Sequence, residues 1–289
     1  MDRISAVYRD RIMQMMGKAR LDMVITDQNV RQESNPAILP YIDGMLDDLV
    51  QPLSRIEGAD HLAELLDKAK AGASCLLLLE HYSNFDLPAF SYLLRKGAPR
   101  GQEIADAVVA IAGMKLNEDN PVVSAFTEAY SRIVIYPSRA LMNLDAKTSR
   151  DEFIRSNAIN RAAMKALNDV KKEGKLVLVF PAGTRFRPWD PETKKGVREI
   201  DSYIKSFDYM CLVSINGEVL KIQKGEMAED VLAKDVLLLE AGPVLGCAEF
   251  RDAARRSVVD DEDKKQAVVD AIMAELQKMH DRNEPRRLA

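Results

Sequence analysis

Cysteine is scarce in this chain of 289 residues. Cys75, Cys211 and Cys247 are the only three, each in or beside an apolar run and none at metal-site spacing. That excludes a disulfide scaffold and a cysteine-rich zinc module. The three are expected to be buried, reduced thiols of a cytoplasmic protein. Long apolar runs are missing too. No stretch free of Asp, Glu, Lys and Arg exceeds nine residues, as in Ala71–Leu79. A membrane span needs roughly 18 apolar residues, so a soluble protein is expected. The first residues, MDRISAVYRDR, are charged too early for a secretory signal. Nor is there an excess of positive charge. The formal net charge is −4, which gives no basic field for nucleic acid or for a polybasic membrane anchor. The glycine motifs of nucleotide sites (Walker A, G-x-G-x-x-G) and the G-x-S-x-G elbow of serve-as-nucleophile serines do not occur. His and Cys do not cluster as metal ligands, so neither a metal nor another cofactor is expected.

The apolar content that remains is ample, at 47%, and it changes texture along the chain. In residues 1–72 it recurs at helical spacing. Ile4, Val7, Tyr8, Ile12 and Met15 form one run, and Met13, Met16 and Met23 continue it. Ile42, Met45, Leu46 and Leu49 form another, and Ala59–Lys70 a third that closes at Gly72. No strand signal is visible there. Residues 1–72 are therefore expected to be a helical N-terminal subdomain, its methionines packing in the core.

Beyond Gly72, short apolar runs alternate with helical stretches. Ser74–Leu79, Ala107–Ala112, Arg132–Tyr136, Leu176–Phe180, Cys211–Ile215 and Val236–Leu239 read as strands. Leu87–Leu94, Pro121–Tyr130, Arg150–Lys172 (capped by Thr148 or Ser149) and Val258–His280 read as helices. Residues 73–289 are expected to form an α/β domain, with a mixed, mostly parallel sheet flanked by helices.

The chemistry is expected around Leu76–Pro88, LLLLEHYSNFDLP. Four leucines, too few for a buried helix, run into Glu80 and His81. Ser83, Asn84 and Pro88 mark a turn and a helix start. His81 then stands at a strand exit and Asp86 at the next helix N-terminus, where an open α/β sheet presents its ligands. An imidazole there can act as general base, with a carboxylate fixing its tautomer. Alone, the pair carries little weight. With three His and 26 Asp in the chain, a chance His-x4-Asp has odds of roughly one in four. The same position holds Leu66 after His61 and Pro285 after His280. Ser83 either faces this site or turns the chain.

A second group is basic. In FPAGTRFRP, Arg185 and Arg187 leave a strand end through a turn containing Gly183 and Thr184. Two residues apart in extended chain, they share a face and can meet one anion as a phosphate clamp. A solvated pair, or an ion pair with Asp190, is the alternative. Arg139, in IVIYPSR, is a third cation at the end of another strand. If the strands are parallel, all of these residues reach one crevice.

The motif EHYSNFDLP resembles the His-x-Ser-x-x-Asp-x-Pro block of the glycerolipid acyltransferases (the His-x4-Asp type). FPAGTRFRP resembles their Phe-Pro-x-Gly-Thr-Arg block, with SRIVIYPSR between the two like the intermediate block. From Ile111 to Pro191 the chain is similar to the soluble glycerol-3-phosphate acyltransferases of plant plastids, which also carry a helical N-terminal domain. AGMKLNEDNPVVSAF, RIVIYPSR, NAINRAAMKAL and PAGTRFRPWDPET occur in the same order. The resemblance covers about Leu76–Tyr209. It implies that residues 73–289 are an acyltransferase domain of phospholipid biosynthesis, with His81 as general base and Asp86 as its partner. Arg139, Arg185 and Arg187 would bind the substrate phosphate, with Ser83, Gly183 and Thr184 as turn or site support. The implied reaction moves an acyl group from acyl-carrier protein or acyl-CoA to the sn-1 hydroxyl of glycerol 3-phosphate. The alternatives are sn-2 acylation of lysophosphatidate and a non-catalytic binder of acyl chains or carrier protein. Peripheral membrane contact would fall to the N-terminal helices. The sequence departs from the family pattern at Glu80, where many members have Asn, at Ala182, in place of Glu, and at Ala140, where the plastid type has His.

Overall fold

The computed structural model describes residues 2–20, 24–114, 121–137, 150–225, 227–259 and 263–289. Eleven strands are present among them: β1 (Arg31–Gln32), β2 (Arg55–Glu57), β3 (Cys75–Leu79), β4 (Val108–Gly113), β5 (Arg132–Ile135), β6 (Leu176–Val179), β7 (Tyr209–Asn216), β8 (Leu220–Lys221), β9 (Val231–Leu232), β10 (Leu238–Ala241) and β11 (Leu245–Gly246). The helices are α1 (Ile4–Val7), α2 (Arg9–Met16), α3 (Leu39–Leu49), α4 (Ala59–Lys70), α5 (Asp86–Gly97), α6 (Gly101–Ala107), α7 (Pro121–Thr127), α8 (Arg150–Lys172), α9 (Ile200–Ser206), α10 (Cys247–Arg256) and α11 (Lys264–Asn283).

Nine strands make one sheet in the order β1-β5-β4-β6-β3-β7-β10-β2, with β11 paired to β7 outside this path. Strands β3 to β7 are mutually parallel. β1 runs antiparallel to β5, β10 and β11 run antiparallel to β7, and β2 pairs in parallel with β10. The expectation of a mixed, mostly parallel sheet flanked by helices holds. β3 lies between β6 and β7, and every residue from Cys75 to Leu79 is buried. Its alternation explains why a continuous leucine run is needed. Leu77 and Leu79 enter one core with α3, α4 and α5, while Leu76 and Leu78 enter the other with α8, α9 and α11.

Residues 1–72 are not wholly helical. β1 pairs with β5 and β2 pairs with β10, so this region supplies both ends of the sheet order. Two and three residues are too few to show a period of two. Helix α10 has no counterpart among the expected helices, and the closing helix begins at Lys264 rather than Val258. The caps proposed for α8 at Thr148 or Ser149, and Met23, lie outside the described residues. All three cysteines are free and buried. No helix among the described residues is long and apolar enough to cross a membrane.

One feature of the register opens the site. β4 pairs with β6 only as far as Ala110 opposite Leu178, then continues beside β5 to Gly113 opposite Ile135. The C-terminal ends of β4 and β6 therefore separate. That gap lies on the same edge to which β3 delivers His81.

Candidate active site

The turn after β3 closes on a single carboxylate oxygen. Asp86 Oδ2 lies 2.9 Å from His81 Nδ1 and accepts the backbone N–H of Tyr82 at 2.6 Å and of Ser83 at 2.8 Å. Asp86 is buried and begins α5, so the helix N-terminus favours its negative charge as well. An ionised carboxylate only accepts hydrogen bonds, so the proton between the two side chains belongs to Nδ1. Nε2 is then the basic nitrogen of the imidazole. Ser83 turns the chain: its Oγ accepts the N–H of Phe85 at 3.0 Å.

The arginine loop folds onto this turn. The His81 ring stacks on Phe180 at 3.9 Å between centroids and 18° between planes. The Phe186 N–H donates to the His81 carbonyl at 2.8 Å. Gly183, at φ +65°, makes the turn between the strand and the arginines, and a Cβ there would sit 3.1 Å from Val197 Cγ1. Thr184 follows, half-buried. The two motifs, a hundred residues apart in sequence, thus form one structure.

The arginines have different surroundings. Arg185 donates to Asp230 Oδ2 at 2.5 Å, and Asp230 Oδ1 accepts the Gln223 N–H at 2.9 Å. Burial raises the Asp230 carboxyl above its ordinary range, with Arg185 opposing that shift. Arg187 is half-buried, and its guanidinium has no ion-pair or hydrogen-bond partner among the described residues. Asp190 meets Arg187 through the backbone, donating its N–H to the Arg187 carbonyl at 2.9 Å, and not as an ion pair. Arg139 lies outside the described residues, as does Ala140.

Glu80 belongs to a separate buried cluster. Its Oε2 accepts the Ile215 N–H at 2.9 Å and meets His280 Nδ1 at 3.1 Å, and its Oε1 accepts Tyr82 OH at 2.9 Å. Glu218, half-buried after β7, is a further carboxyl near the pair. Burial and then the Asp86 charge push it up to about 7. Neither Asp230, Glu218 nor His280 was found from the sequence. Each is brought here by a contact between distant segments that leaves no local pattern.

A cavity of about 410 Å³ opens at the gap between β4 and β6 and is lined by His81, Ser83 and Phe180. It draws on both cores. Toward α8 and α9 its walls carry Ile111, Ile133, Leu167 and Ile200, with Asn160, Glu199 and Tyr203 as polar groups on the same side. Toward α5 and α7 they include Asn84, Thr127, Tyr130 and Arg132. Its size is that of a small-molecule site. A larger surface groove of about 1050 Å³, beside Tyr8, Asp47 and Lys96, contains none of the residues above. Among the described residues, no group of His, Cys, Asp and Glu is placed to hold a metal ion. Burial drives the thiols of Cys75 and Cys247 up to about 12, which leaves them inert as nucleophiles.

A histidine fixed by a carboxylate at the mouth of a mainly apolar cavity, beside a loop of arginines, suits transfer of an apolar group to an anionic acceptor. No curated protein matches the chain at a significant level. Residues 55–230, well over half of the chain, match the acyltransferase family model, and the chain belongs to the acyltransferase family.

Proposed function

We propose that this acyltransferase moves a fatty acyl group from a thioester to the sn-1 hydroxyl of glycerol 3-phosphate, with His81 as general base. The observation that carries the reading is His81 itself. It is held by Asp86 through Nδ1 and lines a cavity with mainly apolar walls. His81 Nε2 takes the hydroxyl proton as the alcohol oxygen attacks the thioester carbonyl. Asp86 stabilises the imidazolium that forms. As the C–S bond breaks, the same proton passes from Nε2 to the thiolate. The products are an ester and a free thiol, and the enzyme returns to its starting state without a covalent acyl intermediate.

Proton transfer of this kind contributes typically ~100- to 10,000-fold, and orientation supplies much of the rest. The acyl chain lies in the apolar lobe beside α8 and α9. The acceptor phosphate meets Arg187, whose guanidinium is uncommitted among the described residues, with Arg185 and Arg139 completing the clamp. The donor is an acyl-carrier protein or acyl-CoA, and product release brings the protein to a membrane surface.

The test supplies purified protein with labelled glycerol 3-phosphate or lysophosphatidate and with acyl-CoA or acyl-carrier protein. Ester formation on glycerol 3-phosphate that is lost in His81→Ala is the expected result. Transfer that survives in His81→Ala overturns the base assignment. Transfer to lysophosphatidate alone overturns the acceptor.

A further inference from the structure

We propose that Glu80, Tyr82 and His280 position the His81–Asp86 pair, so that the C-terminal helix α11 holds the catalytic turn in its working geometry. Tyr82 is the link. Its backbone N–H is the shortest of the three contacts to Asp86 Oδ2, at 2.6 Å, and its hydroxyl donates to Glu80 at 2.9 Å. Glu80 and Tyr82 flank His81 in the chain, and their side chains meet each other and His280. None of the three lines the cavity. They touch neither the acyl chain nor the acceptor of the proposed reaction, and their effect must pass through the turn.

The cluster is tied on every side. Glu80 uses both oxygens, and one of them is fixed by the Ile215 N–H of β7. His280 Nδ1 lies 3.1 Å from Glu80 and 3.3 Å from Tyr82 OH. The His280 carbonyl accepts Asn216 Nδ2 at 3.0 Å, and the same nitrogen donates to Glu284 at 2.9 Å. The Tyr82 and Phe186 rings form a T-shaped pair with centroids 6.0 Å apart, and Lys194 lies over both rings. Phe186 in turn holds the His81 carbonyl. A shift of the Tyr82 ring would therefore move both the donor to Asp86 and the residue that braces His81.

The charged and titratable groups that face His280 are Glu80, Tyr82, Lys194 and Glu284. Burial opposes the imidazolium, but the hydrogen bond and charge of Glu80 prevail, and His280 keeps its proton to higher pH than an ordinary imidazole. Losing that proton removes the charge that holds Glu80.

The inference rests on His81 being the working base, so it has one test through activity and one without. In the first, kcat for acyl transfer to glycerol 3-phosphate is measured against pH. The native enzyme should decline on the alkaline side as His280 deprotonates. His280→Gln should lack that decline and have kcat about tenfold lower at neutral pH, with acceptor KM unchanged and the acid-side fall from His81 retained. A variant profile that is merely scaled down, with the native shape, overturns the proposal.

The second test reads proton exchange by NMR in a chain with only three histidines. The Nδ1 proton of His81 should exchange about tenfold faster in Tyr82→Phe and in the isosteric Glu80→Gln. That of His61, bonded to the Ala241 carbonyl, should not change. Equal His81 exchange in native protein and variants overturns the proposal. Faster exchange in the variants than in the native protein, where the native protein transfers no acyl group, supports the positioning role and refutes the proposed function instead.

Discussion

Arg185 and Asp230 form an ion pair at 2.5 Å in which the aspartate side chain has no solvent exposure and the arginine only 17%. Burying a carboxylate is unfavourable, and the guanidinium offsets that only while the geometry is kept. Removing one partner strands the other. Asp230→Asn should therefore lower unfolding stability by about 3 kcal/mol in urea titrations. The double variant with Arg185→Ala should lose less than the sum of the single losses. Strict additivity would mean that the pair is not coupled.

The proposed base, His81, should have a sharper signature in rate than in stability. His81→Ala removes one proton acceptor and one ring stacked on Phe180. The expected cost is ~100- to 10,000-fold in kcat, against about 1 kcal/mol of stability from the lost stack. Steady-state kinetics and denaturant titration on the same sample separate the two. Arg187→Ala should act differently, raising acceptor KM with little change in kcat.

These features differ in how far the sequence reveals them. The His81–Asp86 bond closes within a six-residue turn, and the strand and helix signals on either side predict it. β3 is legible because burial on both faces demands the leucine run. β1 and β2 are not, since two or three residues show no period, and pairing with β5 and β10 makes them strands. Helix α10 escapes because its sequence, CAEFRDAARR, has little apolar content beyond Phe250, Cys247 and its alanines. The partners of Arg185 and Glu80 lie 45 and 200 residues away. Such contacts depend on the register of the whole sheet, which no local pattern encodes. The alternative of an ion pair between Arg187 and Asp190 rests on closeness in sequence, and a backbone turn joins the two residues instead.

Glu218 predicts a pH dependence of stability. Its carboxyl titrates at about 7 in the folded protein, raised first by burial and then by Asp86. The unfolded chain releases the same proton near 4.5. Between these values the folded state holds more protons, so stability falls as pH rises. The group's contribution is complete below 4.5 and is lost as pH passes through 7. Glu218→Gln carries no such proton. The stability difference between Glu218→Gln and the native chain should move in favour of the variant from pH 5 to pH 8. A constant difference across that range would contradict the shift.

The cavity predicts which residues set acyl-chain length. Ala163 is a buried small residue of α8 lining the apolar lobe, near Ile133 and Leu167. A phenylalanine there fills space that the end of a long chain would need. Each methylene in an apolar pocket is worth about 1–3 kcal/mol in discrimination, or roughly 10- to 200-fold. Ala163→Phe should therefore favour shorter acyl donors by at least about tenfold in kcat/KM, while the KM of glycerol 3-phosphate stays unchanged. Leu167→Ala should enlarge the same lobe and shift preference toward longer donors, with some loss of stability from the added space. Phe126 lines the opposite lobe, among the core side chains of α5 and α7. Truncating it to Ala should leave chain preference alone. Competition between acyl donors of mixed length, with products separated by mass, reads all three variants. A shift caused by Phe126→Ala and not by Ala163→Phe would put the acyl chain on the α7 side of the sheet.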